Sequence, residues 1–317
     1  MKKYIMVFIF FSFFGFGFLF AQNEISQLRA TIVGSGSPMY NKNRAGPSVL
    51  ISQGNTSILV DMGNGTQGNL NKLGINIRKI SALLFTHHHL DHNEEFVPIL
   101  IRSILGRNNF TIAGPPNTVK FTNTNLELYE EDISYRLSKS NRTYQDRKNA
   151  FKLNDIKGGE SFSIDDIKVS SLKVPHSIYA LAYRFEYENE SIVVTGDLTY
   201  SKELASFAKD AAFMIIDSGG MVMKNSRRPK NTNRDKNRLD RGNINDHKKA
   251  RNQKQSSKKA HLNLNQSSLI AKDANVKNLV YTHFRAGQID KAESLKLIRE
   301  NYKGNVIFGK DLMLLKK

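Results

Sequence analysis

Thr86-His87-His88-His89-Leu90-Asp91-His92 puts four metal-binding side chains, His87, His89, Asp91 and His92, within six residues, directly after the apolar run Ala82 to Phe85. A buried strand that opens into a loop this dense in imidazole and carboxylate suits a divalent cation far better than it suits packing. Just past a strand end, His87 and His89 lie two residues apart and both reach one ion. Asp91 and His92 follow in the turn and reach a second. Zinc is the default choice, because it accepts imidazole nitrogen and carboxylate oxygen and needs no redox chemistry. A fortuitous histidine run on the surface accounts for three in a row but not for the whole pattern. His88 fills the variable position and is expected to be structural.

The 317-residue chain contains no cysteine, which excludes disulfides, thiolate metal ligands and a lipid-modified N-terminal cysteine. At the N-terminus, Lys2 and Lys3 precede an apolar stretch from Tyr4 to Phe20, interrupted only by Ser12, Gly15 and Gly17, and followed by Ala21-Gln22. This is the pattern of an export signal cleaved after a small residue. The rival is an uncleaved anchor, but the run is shorter than the ~20 residues a spanning helix needs. Residues 1–21 are therefore expected to be a signal peptide and 22–317 one domain, exported to the periplasm or the exterior, with no stable membrane insertion after cleavage.

Net charge is +18, and its placement matters more than its size. Between Val222 and Ala260 stand fourteen Lys or Arg against three Asp, so this segment carries +11 of the total. It is rich in Asn, Ser and Gln and almost free of aliphatic residues, so it cannot bury enough apolar surface to fold alone. Residues 222–260 are expected to be a disordered or loosely attached basic insert. Such a segment is suited to contact with a polyanion, or is simply a solvated tether.

Along the rest of the chain, strands are expected at Ala30 to Val33, Ser48 to Ser52 and Thr56 to Val60, the last two as a hairpin around Gly54-Asn55. Helical spacing covers Gly68 to Leu73, the face Phe96, Ile99, Leu100, Ile104 and Leu105, and Leu126 to Leu137. Strands follow at Ser163 to Val174, Leu181 to Glu188 and Ser191 to Thr195. The last stretch alternates: helix Lys202 to Lys209, strand Ala212 to Asp217, the insert, helix Gln266 to Ala274, strand Asn278 to Thr282, helix Lys291 to Asn301, strand Asn305 to Phe308. Two β-rich halves flanked by outer helices fit an α/β fold of four layers, an αββα sandwich, with loops from both sheets converging at one edge.

The H-x-H-x-D-H spacing resembles that of the metallo-β-lactamase superfamily, and further residues extend the likeness. His176 in Val174-Pro175-His176-Ser177 resembles the third-motif histidine that completes a first zinc site. Asp197 in Thr195-Gly196-Asp197 resembles the carboxylate that bridges both metals, and His283 in Tyr281-Thr282-His283 resembles the last ligand of the second site. Taken singly, each reads equally as a cap or loop residue; together, in the family's order and each at a strand end, they favour a binuclear centre. The resemblance thus implies two Zn2+ per chain, held by His87, His89, Asp91, His92, His176, Asp197 and His283.

Gly34-Ser35-Gly36-Ser37-Pro38, Arg44-Ala45-Gly46-Pro47-Ser48, Asp61-Met62-Gly63-Asn64-Gly65-Thr66-Gln67, Ala113-Gly114-Pro115-Pro116 and Tyr183-Arg184-Phe185-Glu186 look like the ribonuclease Z and arylsulfatase branch. So does His261, twenty-two residues before His283 and followed by Asn263 as a helix cap. This likeness implies a hydrolase in which a metal-activated water attacks a small anionic ester. Asp61 would orient a ligand imidazole. His261 would serve the leaving oxygen, unless it merely caps a helix, and Asp217 stands where the ribonuclease Z pattern has a glutamate partner for that histidine.

His176 and Asp197 are separated by only twenty residues, too few for the tRNA-binding arm of ribonuclease Z proteins. That shortness, the export signal, Gly114-Pro115-Pro116 and Tyr129-Glu130-Glu131-Asp132-Ile133 lean toward arylsulfatase-like hydrolysis of sulfate esters or phosphodiesters. A ribonuclease Z-like phosphodiesterase or nuclease is the alternative. A polyanion-binding protein that works through its insert is a third, from another class. Asp197 and the Asp61 motif speak against a true β-lactamase, and His89 against a di-iron redox protein. A homodimer is one assembly the sequence leaves open.

Overall fold

Each strand in the middle of this fold buries both of its faces. In β3 (Thr56–Val60), Ile58 and Val60 join one apolar cluster and Leu59 another. In β4 (Ala82–Leu84), Ala82 and Leu84 face the first cluster and Leu83 the second. The same period of two separates Ile192 and Val194 from Val193 in β10 (Glu190–Val194), and Phe213 and Ile215 from Met214 and Ile216 in β11 (Phe213–Asp217). Strands covered on both faces need a layer on each side, which is why near-continuous apolar runs give a sandwich rather than an open sheet.

The computed structural model describes residues 27–106, 109–148, 151–224 and 260–316. The expected signal segment lies outside them, as does the basic insert apart from Val222 to Lys224 and Ala260 at its ends. Among the described residues, no helix is long and apolar enough to cross a membrane.

Two seven-stranded mixed sheets form the inner layers. The first has the order β14-β1-β2-β3-β4-β5-β6, built from β1 (Arg29–Gly34), β2 (Ser48–Gln53), β3, β4, β5 (Phe110–Gly114), β6 (Phe151–Asp155) and β14 (Met313–Leu315). The second runs β13-β12-β11-β10-β9-β8-β7, from β7 (Ser161–Ile164), β8 (Ile167–Val174), β9 (Ala180–Tyr187), β10, β11, β12 (Asn278–Thr282) and β13 (Asn305–Phe308). Each sheet changes from antiparallel to parallel pairing partway across, after β3 in the first and after β10 in the second.

Helices α1 (Thr66–Lys72), α2 (Phe96–Ile104), α3 (Thr118–Leu128), α4 (Glu130–Ser138) and α5 (Tyr144–Lys148) belong to the first half. Helices α6 (Leu204–Phe207), α7 (Leu264–Asp273) and α8 (Lys291–Arg299) belong to the second. This is the αββα sandwich expected from the sequence.

Two expected elements divide. Leu126 to Leu137 is the end of α3 and most of α4, parted at Tyr129, whose backbone leaves the helical region; Leu126 on one side and Ile133 and Leu137 on the other still share the outer core. Ser163 to Val174 is a hairpin, with Ile164 paired to Ile167 across Asp165-Asp166. Asp165 takes the left-handed φ of 49° that this tight turn requires, and its carboxylate accepts the Thr56 hydroxyl at 2.8 Å.

The N-terminus of α1 is capped from a distance. Gly65 at its N-cap has φ 83° and carries no side chain to do the work, and the Glu95 carboxylate accepts the N–H of Gly65 at 2.7 Å and of Gln67 at 2.6 Å. Glu95 comes three residues after His92, so this cap also fastens the far end of the His-rich loop. Glu95→Ala should cost about 1–2 kcal/mol of stability, the range of a lost charged cap. Urea unfolding measures this, and no change in midpoint would show that the cap is dispensable.

Candidate metal centre

The C-terminal ends of strands from both sheets meet at one edge of the sandwich. Asp61 follows β3, Thr86 and His87 follow β4, and His176 follows β8; Asp197 follows β10, Asp217 ends β11, and His283 follows β12. Two hydrogen bonds fix the sheets to each other here, from the Tyr183 hydroxyl to the Phe85 carbonyl and from the Leu181 N–H to the Thr86 carbonyl, both 2.8 Å. Glycine lets the chains close in. A Cβ on Gly196, which has φ 59°, would lie 2.6 Å from the Thr86 side chain, and one on Gly63 would lie 2.4 Å from the Asp91 carbonyl oxygen.

The seven expected ligands come together as two adjoining groups. His89 Nδ1 stands 3.0 Å from His87 Nε2 and 3.2 Å from His176 Nε2. In the second group, His283 Nε2 is 3.2 Å and His92 Nε2 3.5 Å from Asp91 Oδ2. Asp197 lies between the groups, with Oδ2 3.4 Å from His283 Nε2 and 3.6 Å from His92 Nε2. The donor atoms of His87, His89 and His176 lie within 4.8 Å of one another, as do those of Asp91, His92 and His283, and Asp197 groups with His87 and His92 in the same way.

The hydrogen-bond partners of the rings assign their tautomers. The Thr86 hydroxyl gives its proton to Asp61 Oδ2 at 2.7 Å, so His87 Nδ1, 3.0 Å from that hydroxyl, is the donor and its Nε2 keeps a lone pair. His176 Nδ1 faces the Ala260 carbonyl at 3.0 Å, which can only accept. His92 Nδ1 faces Asp61 Oδ2 at 2.8 Å. Each Nε2 is thus left with a lone pair turned toward the other donor atoms of its group, and His92 Nε2 faces carboxylate oxygens of Asp91 and Asp197, an arrangement that repels unless a cation or proton sits between. His92 Nε2 is buried and has no hydrogen-bond partner. The donor set is all nitrogen and oxygen, which suits zinc, so these residues fit a divalent metal pair.

Charge follows the same logic. Burial, with His92 alongside, holds His87 well below the usual imidazole range, as a neutral ligand requires. Burial opposes ionisation of Asp197, yet His283 and His92 keep its carboxyl well below the usual carboxylate range. Burial also opposes charge on His92, but Asp61 and Asp197 outweigh it and hold the ring well above the normal range. A cation at Nε2 would take the place of that proton.

Asp61 is not among the metal-facing groups. Its carboxylate accepts the Thr86 N–H at 2.8 Å, the Thr86 hydroxyl and His92 Nδ1, from a backbone with φ 59°. A non-glycine residue there is strained, and so is His283 at φ 60°. His88 turns away as its position suggests: Nε2 donates to Thr118 Oγ1 at 2.9 Å and the ring packs against Phe85 and Phe121.

His261 and Asp217 also meet at the site. His261 Nδ1 is 3.5 Å from Asp217 Oδ1, too long for a well-formed hydrogen bond but close enough for strong attraction, and 4.0 Å from Asp197 Oδ2. The Asp217 carboxylate, held by the N–H groups of Gly219 at 2.7 Å and Leu198 at 3.3 Å, raises His261 above the usual imidazole range against the effect of burial. His261 is not the helix cap; Asn263 caps α7, in a reciprocal box with Gln266. A cavity of about 490 Å³ opens beside His261 and His283, walled by Ser218 to Met221, Met223, Leu262, Phe284 and Ile289.

Three site groups have no role in the sequence reading: Thr86, the Ala260 carbonyl, and Ser177, whose hydroxyl lies 3.2 Å from His89 Nε2. Only their adjacency to ligands or to the insert marks them in sequence.

Fold and site together define a metal-dependent hydrolase of ester bonds with the metallo-β-lactamase fold. Residues 28–222 match the family model described as "Anti-Pycsar protein Apyc1", and the chain belongs to that family. A ribonuclease Z of Mycobacterium sp. (strain KMS) is 28% identical over 194 residues, covering 59% of this chain and 67% of that protein. Among solved structures, the metallo-β-lactamase fold protein YhfI from Bacillus subtilis superposes with a TM-score of 0.64 at 18% identity, over 91% of this chain and 98% of that one. Zn2+-bound PqqB from Methylobacterium extorquens superposes with a TM-score of 0.60 at 15% identity, over 91% and 100%.

If Asp61 fixes the His92 ring for metal binding, Asp61→Ala should weaken zinc affinity about 10- to 100-fold. Competition against a chromogenic chelator reads this directly. Unchanged affinity would leave Asp61 with a purely structural part.

Proposed function

We propose that the protein hydrolyses phosphodiesters at a centre of two zinc ions. The observation that carries this is the convergence of lone pairs from both sheets on two adjoining points, with a buried carboxylate between them. His87, His89 and His176 would hold one ion, Asp91, His92 and His283 the other, and Asp197 would serve both. Bound there, the ions would supply Lewis acidity, activating water and offsetting the charge of an anionic ester in the transition state. The zinc of the PqqB neighbour supports the metal, and the ribonuclease Z likeness favours phosphate over the sulfate ester of the arylsulfatase reading.

The chain's own residues would position and protonate. Asp61 fixes the His92 ring through Nδ1. Asp217 draws the Nδ1–H of His261, leaving Nε2–H to give a proton to the departing oxygen in the cavity. His176 and Asp197 are joined only by the β9–β10 hairpin, which leaves no protruding arm to grip an RNA. Polyanion contact falls instead to the insert, which ends in sequence at Ala260, and Ala260 lines the cavity.

A panel of bis(4-nitrophenyl) phosphate, 4-nitrophenyl sulfate and a β-lactam, with and without zinc, tests the reading. Zinc-dependent turnover should be fastest on the phosphodiester, and a clear preference for the sulfate ester would restore the arylsulfatase alternative. His261 also stands within metal reach of Asp197 and His283, so its part must be separated from ligation. His261→Ala should retain bound zinc and lower kcat by roughly 10²–10⁴-fold on substrates with poor leaving groups, and by less on good ones. Loss of one zinc equivalent would make it a ligand instead. Deleting residues 225–259 should abolish salt-sensitive binding to DNA or heparin while a small phosphodiester is still turned over. Equal polyanion binding with and without the segment would reduce it to a tether.

A further inference from the structure

The cavity beside the metal centre has a charge pattern that the chemistry above does not use. Its apolar walls are Met221, Met223, Phe284 and Ile289, Asn263 adds an amide, and none of its lining residues is acidic. Arg285, two residues beyond His283, is the one lysine or arginine among them. The residue is exposed, and among the described residues no ion pair neutralises its guanidinium. Its charge is felt at His261, where it works against the proton that Asp217 favours.

The loop that carries Arg285 is braced on both sides. Before it, the Phe284 N–H donates to the Ser35 carbonyl at 2.8 Å, and the Arg44 guanidinium lies 4.6 Å from the centre of the Phe284 ring. After it, Met223 pairs with Ile289, Lys224 N–H donates to the Gln288 carbonyl, and Asp290 N–H donates to the Val222 carbonyl, both at 2.8 Å. Gly287, at φ 116°, lets the loop close on Met223: a Cβ there would lie 2.9 Å from Met223 Cε. A long cationic side chain on a fixed base, at the rim of a cavity whose other walls are apolar or polar without acidic groups, is built to orient a ligand.

We propose that Arg285 is a specificity-determining residue that binds a second anionic group on the leaving portion of the substrate. That portion would have an apolar body for the methionine and phenylalanine walls. This rests on the phosphodiester reading only for the direction in which the substrate lies, since His261, assigned to the leaving oxygen, lines the same cavity. A guanidinium offers a planar fork of donors to carboxylate or phosphate, which an ammonium does not, so the recognition depends on geometry as well as charge.

The test is equilibrium binding, independent of turnover. Zinc-loaded full-length protein is titrated calorimetrically with phenylphosphonate and with 3-carboxyphenylphosphonate, which share the metal-seeking group and differ by one anion. The carboxylated probe should bind about tenfold more tightly to the native protein, as expected for a hydrogen bond to a charged group. That advantage should vanish in Arg285→Ala and survive in part in Arg285→Lys. An equal advantage in Arg285→Ala, or none in the native protein, overturns the proposal. Failure to cleave phosphodiesters would overturn the functional reading while leaving this comparison intact.

Discussion

The Asp61 carboxylate takes the N–H and hydroxyl of Thr86 on one side and Nδ1 of His92 on the other, so both ends of the His-rich loop are tied to the tip of the neighbouring strand. The fold accepts a left-handed aspartate to achieve this, at a strain on the order of 1–3 kcal/mol. What it gains is a chain of fixed protons. Thr86 is made a donor to Asp61, which makes His87 Nδ1 a donor to Thr86, which leaves His87 Nε2 free for a metal. One carboxylate thereby sets the orientation of one imidazole in each of the two side-chain groups.

The second sheet supplies the rest only because it is held to the first at the same place. Tyr183 and Leu181 of β9 bind the carbonyls of Phe85 and Thr86, so the ends of β8, β10 and β12 bring His176, Asp197 and His283 opposite the loop. Asp91 and Asp197 are the carboxylates that face Nε2 of His92 and of His283. Two divalent ions, if held by two carboxylates and five neutral imidazoles as proposed, would keep a net positive charge, which would fit an anionic ester. The cavity beyond, with Arg285 at its rim and no acidic residue in its wall, continues that bias outward.

How much of this was legible in the chain follows from where each signal resides. His87, His89, Asp91 and His92 are local: a strand end and a fixed spacing put them in view. His176, Asp197 and His283 carry little locally and became readable only as strand-end residues in a familiar order. The partners that set their tautomers were beyond reach, because Thr86, the Ala260 carbonyl and Ser177 act through tertiary geometry that no spacing encodes. The same holds for Glu95, which caps a helix thirty residues upstream, and for Arg285, which gains meaning from the cavity around it. Among the elements, alternation identified strands with two buried faces but ran past the Asp165-Asp166 turn and the break at Tyr129, where a carboxylate contact and separate packing override a continuous pattern.

Seven side chains from two sheets would make the two proposed metal sites, with one carboxylate shared. Anomalous scattering at the zinc edge from crystals of the zinc-loaded protein tests this most directly. Two peaks are expected, one among His87, His89 and His176 and one among Asp91, His92 and His283, with Asp197 between them. A single peak, or a second peak away from Asp197, would rule out a binuclear centre built on that carboxylate.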